Sequence, residues 1–229
     1  MSKRKTSALR TQDTRFSHTK KHSEQTFYTH ESKTIDFSQA QRELQRVNKK
    51  PIHLVPKSRN QETYIMALTD PSTDIVVVGG PAGTGKTYLA MQAAIKAMRE
   101  GECDRIILTR PAVGVDDEKH GFLPGDLVQK MEPWTKPLFD VLHEYYMPRD
   151  TLSMIENGVI EICPLAFMRG RTFKNAFIVA DEMQNATVSQ TKMLLTRLGD
   201  YSRMVVTGDL AQSDRTVEES GLENFLDLY

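Results

Sequence analysis

From residue 58 onward, apolar and polar positions alternate in short blocks that predict helices and strands in turn. Asn60–Leu68 (NQETYIMAL) has the spacing of a short helix. Asp74–Val78 (DIVVV) is a brief β-branched run, too short for a helix and suited to a strand. A glycine-rich turn follows, and then Lys86–Glu100 carries Leu89, Ala93, Ile95, Ala97 and Met98 at helical spacing, with Gly101 as its stop. Arg105–Leu108 reads as the next buried strand. Segment 111–150 is broken by Pro111, Gly114, Gly121, Pro124, Gly125, Pro133 and Pro137. Helices are expected there at 125–132 and 134–146, with another at 149–156. Val159–Cys163 is expected as a strand, and so is Ala176–Ala180 (AFIVA), which ends on Asp181-Glu182. Val188–Leu198 is expected as a helix, with Met193, Leu194 and Leu198 on its apolar side. Arg203–Val206 is a last strand, ending on Thr207-Gly208-Asp209. Strands alternating with helices imply an α/β fold, a parallel sheet with helices on both faces. In such sheets ligands bind beyond the carboxyl ends of the strands, where the polar clusters of this chain fall.

The first 57 residues follow another pattern. They are polar, and 13 Lys and Arg stand against 5 Asp and Glu. The remaining 172 carry 17 and 25, so the net charge of zero over 229 residues conceals two oppositely charged parts. Residues 1–57 are therefore expected to be a basic, largely disordered arm and linker, and 58–229 a single domain. Within the arm, Phe27, Tyr28, Ile35 and Phe37 are candidates for a local anchor and Ser38–Val47 for a short helix; Pro51 and Pro56 mark the linker. The two cysteines, Cys103 and Cys163, cannot form a disulfide framework and lack metal-ligand spacing. No apolar run approaches the ~18 residues of a membrane span, and the N-terminus has no signal-peptide core. The expectation is a soluble cytoplasmic protein with no membrane partner.

Four motifs carry chemistry. Gly80-Pro81-Ala82-Gly83-Thr84-Gly85-Lys86-Thr87 matches the phosphate-binding pattern G-x-x-x-x-G-K-[ST] at every fixed position. Its glycines let successive N–H groups turn inward, and the following helix adds its own free N–H groups. Lys86 supplies charge for the β- and γ-phosphates of ATP, and the Thr87 hydroxyl can ligate Mg²⁺. The expected nucleotide contacts are Gln61 and the run from Gly80 through Tyr88: Gly80, Pro81, Ala82, Gly83, Thr84, Gly85, Lys86, Thr87 and Tyr88. The apolar strand before Asp181-Glu182 gives the second motif, of Walker B type. Asp181 is the second candidate metal residue, and Glu182 is placed to polarise an attacking water. Third, Gly208-Asp209-Leu210-Ala211-Gln212 resembles motif III of superfamily 1 helicases, G-D-x-x-Q, which implies that Gln212 senses the γ-phosphate. Fourth, Gln61 has an amide of the right geometry to read an adenine edge, and its place resembles the Q motif of those helicases. Lys86, Glu182 and Gln212 are the candidate catalytic residues.

LTRPAV (Leu108–Val113), GFLPGDL (Gly121–Leu127), MRGRTF (Met168–Phe173), DEMQN (Asp181–Asn185) and VVTGD (Val205–Asp209) stand in one collinear order. Together they resemble PhoH-like proteins, phosphate-starvation-associated P-loop ATPases of bacteria and phages. The resemblance covers about residues 58–215. It implies a single RecA-like, superfamily 1 helicase-like P-loop NTPase core and ATP hydrolysis with Mg²⁺. It also implies action on RNA or single-stranded nucleic acid, and homo-oligomers that include a hexameric ring. For a phage member the location would be the host cytoplasm. The family pattern continues past Tyr229 with another strand and helix, which leaves full closure of the sheet open; no PIN-type nuclease segment is present, and ribonuclease activity is not carried over.

Several residues stay open. Arg110, Arg169, Arg171 and Arg215 are candidates for a cation against the γ-phosphate, or for surface solvation. The basic arm suits nucleic-acid phosphates, and equally solubility or an acidic protein surface. His18, His22 and His30 lie in that arm as solvated residues, and Trp134 suits core packing better than base stacking. Two other function classes compete. One is an ATP-dependent switch that binds a protein partner with little hydrolysis. The other is a small-molecule phosphotransferase, disfavoured by Asp181-Glu182 and the G-D-x-x-Q loop.

Overall fold

A computed structural model of the chain describes residues 51–111, 135–213 and 220–227. The expected anchor, the Ser38–Val47 helix, the helix at 125–132, Trp134 and Arg215 lie outside the described residues. The described helices are α1 (Arg59–Thr69), α2 (Lys86–Glu100), α3 (135–143), α4 (Pro148–Glu156), α5 (Val188–Leu195) and α6 (Gly221–Leu226). The strands are β1 (Ile75–Gly79), β2 (Arg105–Thr109), β3 (Ile160–Ile162), β4 (Ala176–Ala180) and β5 (Arg203–Gly208).

The five strands form one sheet in the order β1-β5-β4-β2-β3, and every pairing is parallel. Side chains alternate across it. Val76, Ile106, Leu108, Phe177, Val179 and Val205 pack against α1, α2 and α3 on one face. Ile107, Ile178, Ala180, Met204 and Val206 pack on the other, against Leu194 of α5 and Leu222 of α6. Both faces being covered explains why these strands read as continuous apolar runs. The chain thus has the fold of the P-loop NTPases, a single parallel-sheet core with helices on both faces.

The register brings the chemistry to one edge. Gly79 pairs with Gly208, Ala180 with Val206, and Thr109 with Ala180. The loops after β1, β2, β4 and β5 therefore leave the sheet close to one level. β5 lies between the strand that carries the glycine-rich turn and the strand that carries Asp181. Its own terminal residues consequently sit between those two motifs.

Local signals set most boundaries. Ser58 caps α1 by accepting the Gln61 backbone N–H. Gly101 ends α2 in the left-handed region, at φ +76°, and returns its N–H to the Ala97 and Met98 carbonyls. Thr187 and Gln190 form a capping box at the start of α5. The expected helix over Val188–Leu198 is corrected at its end, for α5 stops at Leu195. The Thr196 hydroxyl there donates back to the Lys192 and Met193 carbonyls. The next residues instead bind Phe173: its N–H donates to the Arg197 carbonyl, and its carbonyl accepts from Gly199. In 134–146, helical turns cover 135–143. Ile52 and Leu54, in the segment expected as linker, pack partly buried against the core beside α1 and α2.

Candidate active site

Beyond β1 the chain turns through Gly80–Gly85 into α2. Gly83 and Gly85 hold φ of +76° and +82°, a region that L side chains rarely adopt. A Cβ on Gly83 would meet nothing within 4 Å, so the turn faces open space at that point. Lys86 Nζ curls back over the turn and donates to the carbonyls of Gly80 (2.5 Å) and Pro81 (2.8 Å). The Thr84 hydroxyl donates to the same Pro81 carbonyl at 2.7 Å. α1 braces the turn from outside. Gln61 Nε2 donates to the Thr84 carbonyl (2.9 Å), and its Oε1 accepts the Lys57 N–H (2.6 Å). The Tyr64 hydroxyl donates to the Lys86 carbonyl at 3.1 Å. Burial pushes the Tyr64 phenol well above its usual range, and the nearby Asp181 charge adds to this.

Tyr88 points the other way. Its hydroxyl donates to Glu144 at 3.0 Å and accepts from Gln92, whose amide also reaches the Tyr145 hydroxyl. Loss of solvation, with the Glu144 hydrogen bond second, pushes the Tyr88 phenol up to about 12.

At the end of β4, Asp181 is 8% exposed and continues the side-chain alternation toward α2. Its Oδ1 accepts the Thr87 hydroxyl at 2.6 Å and the Thr207 hydroxyl at 2.5 Å. Three strand and helix ends thus converge on one carboxylate oxygen. Mg²⁺ takes hard oxygen ligands and is commonly held by one or two protein oxygens together with phosphates. The paired hydroxyl and carboxylate of Thr87 and Asp181 fit that requirement beside the glycine-rich turn.

Glu182 follows with φ +55°, uncommon for a non-glycine residue and shared here by Asn175 and Tyr201. This twist takes it off the strand line, so that its carboxylate does not follow Ala180 into the second core. Gln184, 1% exposed, donates from Nε2 to Glu182 Oε2 at 2.5 Å. Its Oε1 accepts the Asp209 N–H at 3.1 Å.

Asp209, 6% exposed, binds the glycine-rich turn directly. Its Oδ2 accepts the Ala82 N–H (3.0 Å), and its Oδ1 accepts the Ala211 N–H (3.1 Å). Gly80 N–H donates to the Gly208 carbonyl at 3.2 Å. An internal carboxylate is therefore already bound by a main-chain amide of the turn, as expected of an anion-binding loop. Gln212 stands exposed at the end of the short turn Leu210–Gln212. Its N–H donates to the Asp209 carbonyl, and its side chain makes no hydrogen bond among the described residues.

Of the candidate arginines, Arg171 is engaged. It pairs through both terminal nitrogens with Glu161 and lies over the Phe173 ring, 4.6 Å from its centroid. Arg110 is half-buried just beyond β2, and its carbonyl accepts the Leu165 N–H. Arg169 is exposed at the end of the turn Leu165–Met168.

The structure gathers Lys86, Thr87, Asp181 and Glu182 at one sheet edge, with Gln61 against the turn. Residue-by-residue reading missed Thr207, Gln184 and Asp209 as members of the site. Asp209 carried a signal, since it lies inside the G-D-x-x-Q string. Thr207 and Gln184 also lie inside quoted strings, VVTGD and DEMQN, but their roles depend on which strand lies between β1 and β4.

A family model described as PhoH-like protein matches residues 53–229. A PhoH-like protein of Synechocystis sp. is 51% identical over 168 residues, covering 73% of this chain and 50% of that one. A PhoH-like protein of Bacillus subtilis is 49% identical over 158 residues, with 69% and 49% covered. The protein PhoH of Escherichia coli K12 is 40% identical over 167 residues, with 70% and 45% covered. The chain spans about half the length of the curated relatives it matches. Among solved structures, the Sulfolobus solfataricus SWI2/SNF2 ATPase core in complex with dsDNA is similar at TM-score 0.44 and 17% identity, covering 69% of this chain and 33% of that one.

Proposed function

The chain belongs to the PhoH-like protein family, and on that premise we propose that it hydrolyses ATP and couples hydrolysis to RNA or single-stranded DNA. The observation that carries the hydrolytic part is the Thr87–Asp181 contact, which joins residues 94 positions apart beside an open glycine turn. A hydroxyl and a carboxylate brought together at a phosphate cradle suit a metal-bound nucleotide far better than an ordinary loop contact.

In this reading the N–H groups of the Gly80–Lys86 turn and the Lys86 ammonium hold the phosphates. Thr87 and Asp181 would hold Mg²⁺, which would supply charge neutralisation on the phosphate oxygens. Glu182 orients a water and takes its proton as the water oxygen bonds to the γ-phosphorus. The bond from the γ-phosphorus to the bridging oxygen breaks, and ADP leaves with that electron pair. Gln61, whose amide is bound to Thr84 and Lys57, would exchange those bonds to read an adenine edge, and Gln212 stands on the loop that would sense the γ-phosphate.

Charge supports the nucleic-acid part. The 13 basic residues in positions 1–57 can neutralise phosphates and release counterions. Assembly into a homo-oligomeric ring would let a neighbour supply a cation such as Arg169 or Arg110. A cytoplasmic setting completes the proposal; no helix among the described residues is long and apolar enough to cross a membrane.

The test is phosphate release by purified protein, with and without single-stranded RNA and DNA, beside Glu182→Gln. The proposal expects stimulation by nucleic acid and a loss of about 100-fold in the variant, the usual scale for a general base. A Glu182→Gln protein as fast as wild type would remove Glu182 from its role. Hydrolysis indifferent to nucleic acid would favour the switch that binds a protein partner.

A further inference from the structure

We infer that Gln184 is a positioning residue for hydrolysis, fixing the Glu182 carboxylate and tying it to the loop that contacts the phosphate turn. The inference rests on the reading of Glu182 given above. Gln184 is an uncharged amide buried to 1% exposure between Glu182 and Asp209. A buried amide is retained at low cost only when its polar atoms are paired. Here both ends are used on chemistry-bearing neighbours. Nε2 donates to Glu182 Oε2, and Oε1 accepts the Asp209 N–H. Asp209 in turn grips Ala82 of the phosphate turn. One side chain therefore spans the two loops that end β4 and β5.

The surrounding backbone is shaped for this contact. A Cβ on Gly208 would lie 3.1 Å from Gln184 Oε1 and 3.3 Å from Gln184 N, besides striking Leu222 Cδ2 at 2.3 Å. Glycine at 208 lets the turn Met183–Asn185 close onto β5. The Gln184 carbonyl accepts the hydroxyls of Ser213 and Ser220, which fixes the main chain of the turn from the far side. Glu182 itself holds a left-handed backbone angle, and its carboxylate accepts the hydrogen bond from the Gln184 side-chain amide. A displacement of the Asp209 loop would pull on the amide and so move the carboxylate. Gln184 touches no phosphate position itself, so its effect falls on the orientation of Glu182.

Two variants separate the bonds. Gln184→Met keeps the shape and removes both bonds. Gln184→Glu keeps an acceptor toward Asp209 N–H and sets a second carboxylate against Glu182. Steady-state kinetics of the full chain are measured for wild type, both variants, Glu182→Gln and the Glu182→Gln/Gln184→Met pair. Both single variants should lose about tenfold or more in kcat, with the KM for ATP within about threefold of wild type, as expected when only transition-state geometry is lost. The paired variant should be no slower than Glu182→Gln alone, because the two residues act as one unit. If Gln184→Met does not fold, the Gln184→Glu protein carries the same test.

Wild-type kcat in either folded variant overturns the inference and leaves the hydrolytic reading intact. A kcat loss that multiplies with Glu182→Gln also overturns it, since Gln184 would then act through the fold at large. A wild-type chain that does not hydrolyse ATP overturns the hydrolytic reading, and the inference with it.

Discussion

Asp209 Oδ2 accepts the main-chain N–H of Ala82 at 3.0 Å across 127 residues of sequence. The strand pairing of Gly79 with Gly208 permits this contact, since both loops leave the sheet side by side. It also sets a negative charge on the turn that the nucleotide phosphates would occupy. Asp209→Asn keeps one acceptor, for Ala82, gives up the one for Ala211 N–H, and removes the charge. ATP affinity should therefore rise by about fivefold, the equivalent of roughly 1 kcal/mol. Calorimetric titration of both proteins with MgATP checks this. Weaker binding by the variant would show that the charge is needed to hold the turn open.

The stability of the site edge depends on a missing side chain. A methyl group on Gly208 would strike Leu222 of α6 at 2.3 Å and crowd Gln184. Gly208→Ala is expected to cost about 1–3 kcal/mol through overpacking. Urea denaturation followed by circular dichroism should show an earlier midpoint. Leu222→Ala in the same chain relieves the closest clash, so the double variant should lose less stability than the two single losses added together.

Alkaline pH should destabilise the fold. Burial pushes the Cys103 thiol up to about 11 from an ordinary value of 9.0, and Tyr64 and Tyr88 are raised as well. In the unfolded chain these groups release their protons at lower pH than in the folded one. Stability is then fully present below pH 9 and falls as pH rises from about 9 toward 11, because the unfolded state binds fewer protons. Thermal melts across that range should show the decline, and Cys103→Ala should flatten part of it. The same burial predicts slow alkylation of Cys103 and Cys163 in the native protein, and fast alkylation in urea.

Much of the fold is written locally. α2 begins and ends where its flanking glycines and apolar spacing place it, and β4 is marked by five consecutive apolar residues. Lys86, Thr87 and Asp181 are legible because a fixed spacing or a strand end specifies each. The less legible parts depend on tertiary contacts. The end of α5 is set by the need of Arg197 and Gly199 to pair with Phe173, which no spacing within Val188–Leu198 reveals. α6 carries no periodic sequence signal of its own; a six-residue helix has too few turns to show periodicity, and it is held by Ser220 capping and by Leu222 in the second core. Gln184 and Thr207 join the site only because β5 is inserted between β1 and β4, an order that parallel strands alone do not dictate.

The central claim is that the Gly80–Thr87 turn, with Asp181 behind it, is an ATP-hydrolysing site. The most direct measurement is phosphate release at saturating MgATP by wild type and Lys86→Ala. The Lys86 ammonium, now on the Gly80 and Pro81 carbonyls, would exchange them for phosphate oxygens. Its removal should cost about 100-fold or more, the scale of a lost transition-state charge contact. Equal rates in the two proteins would contradict the account.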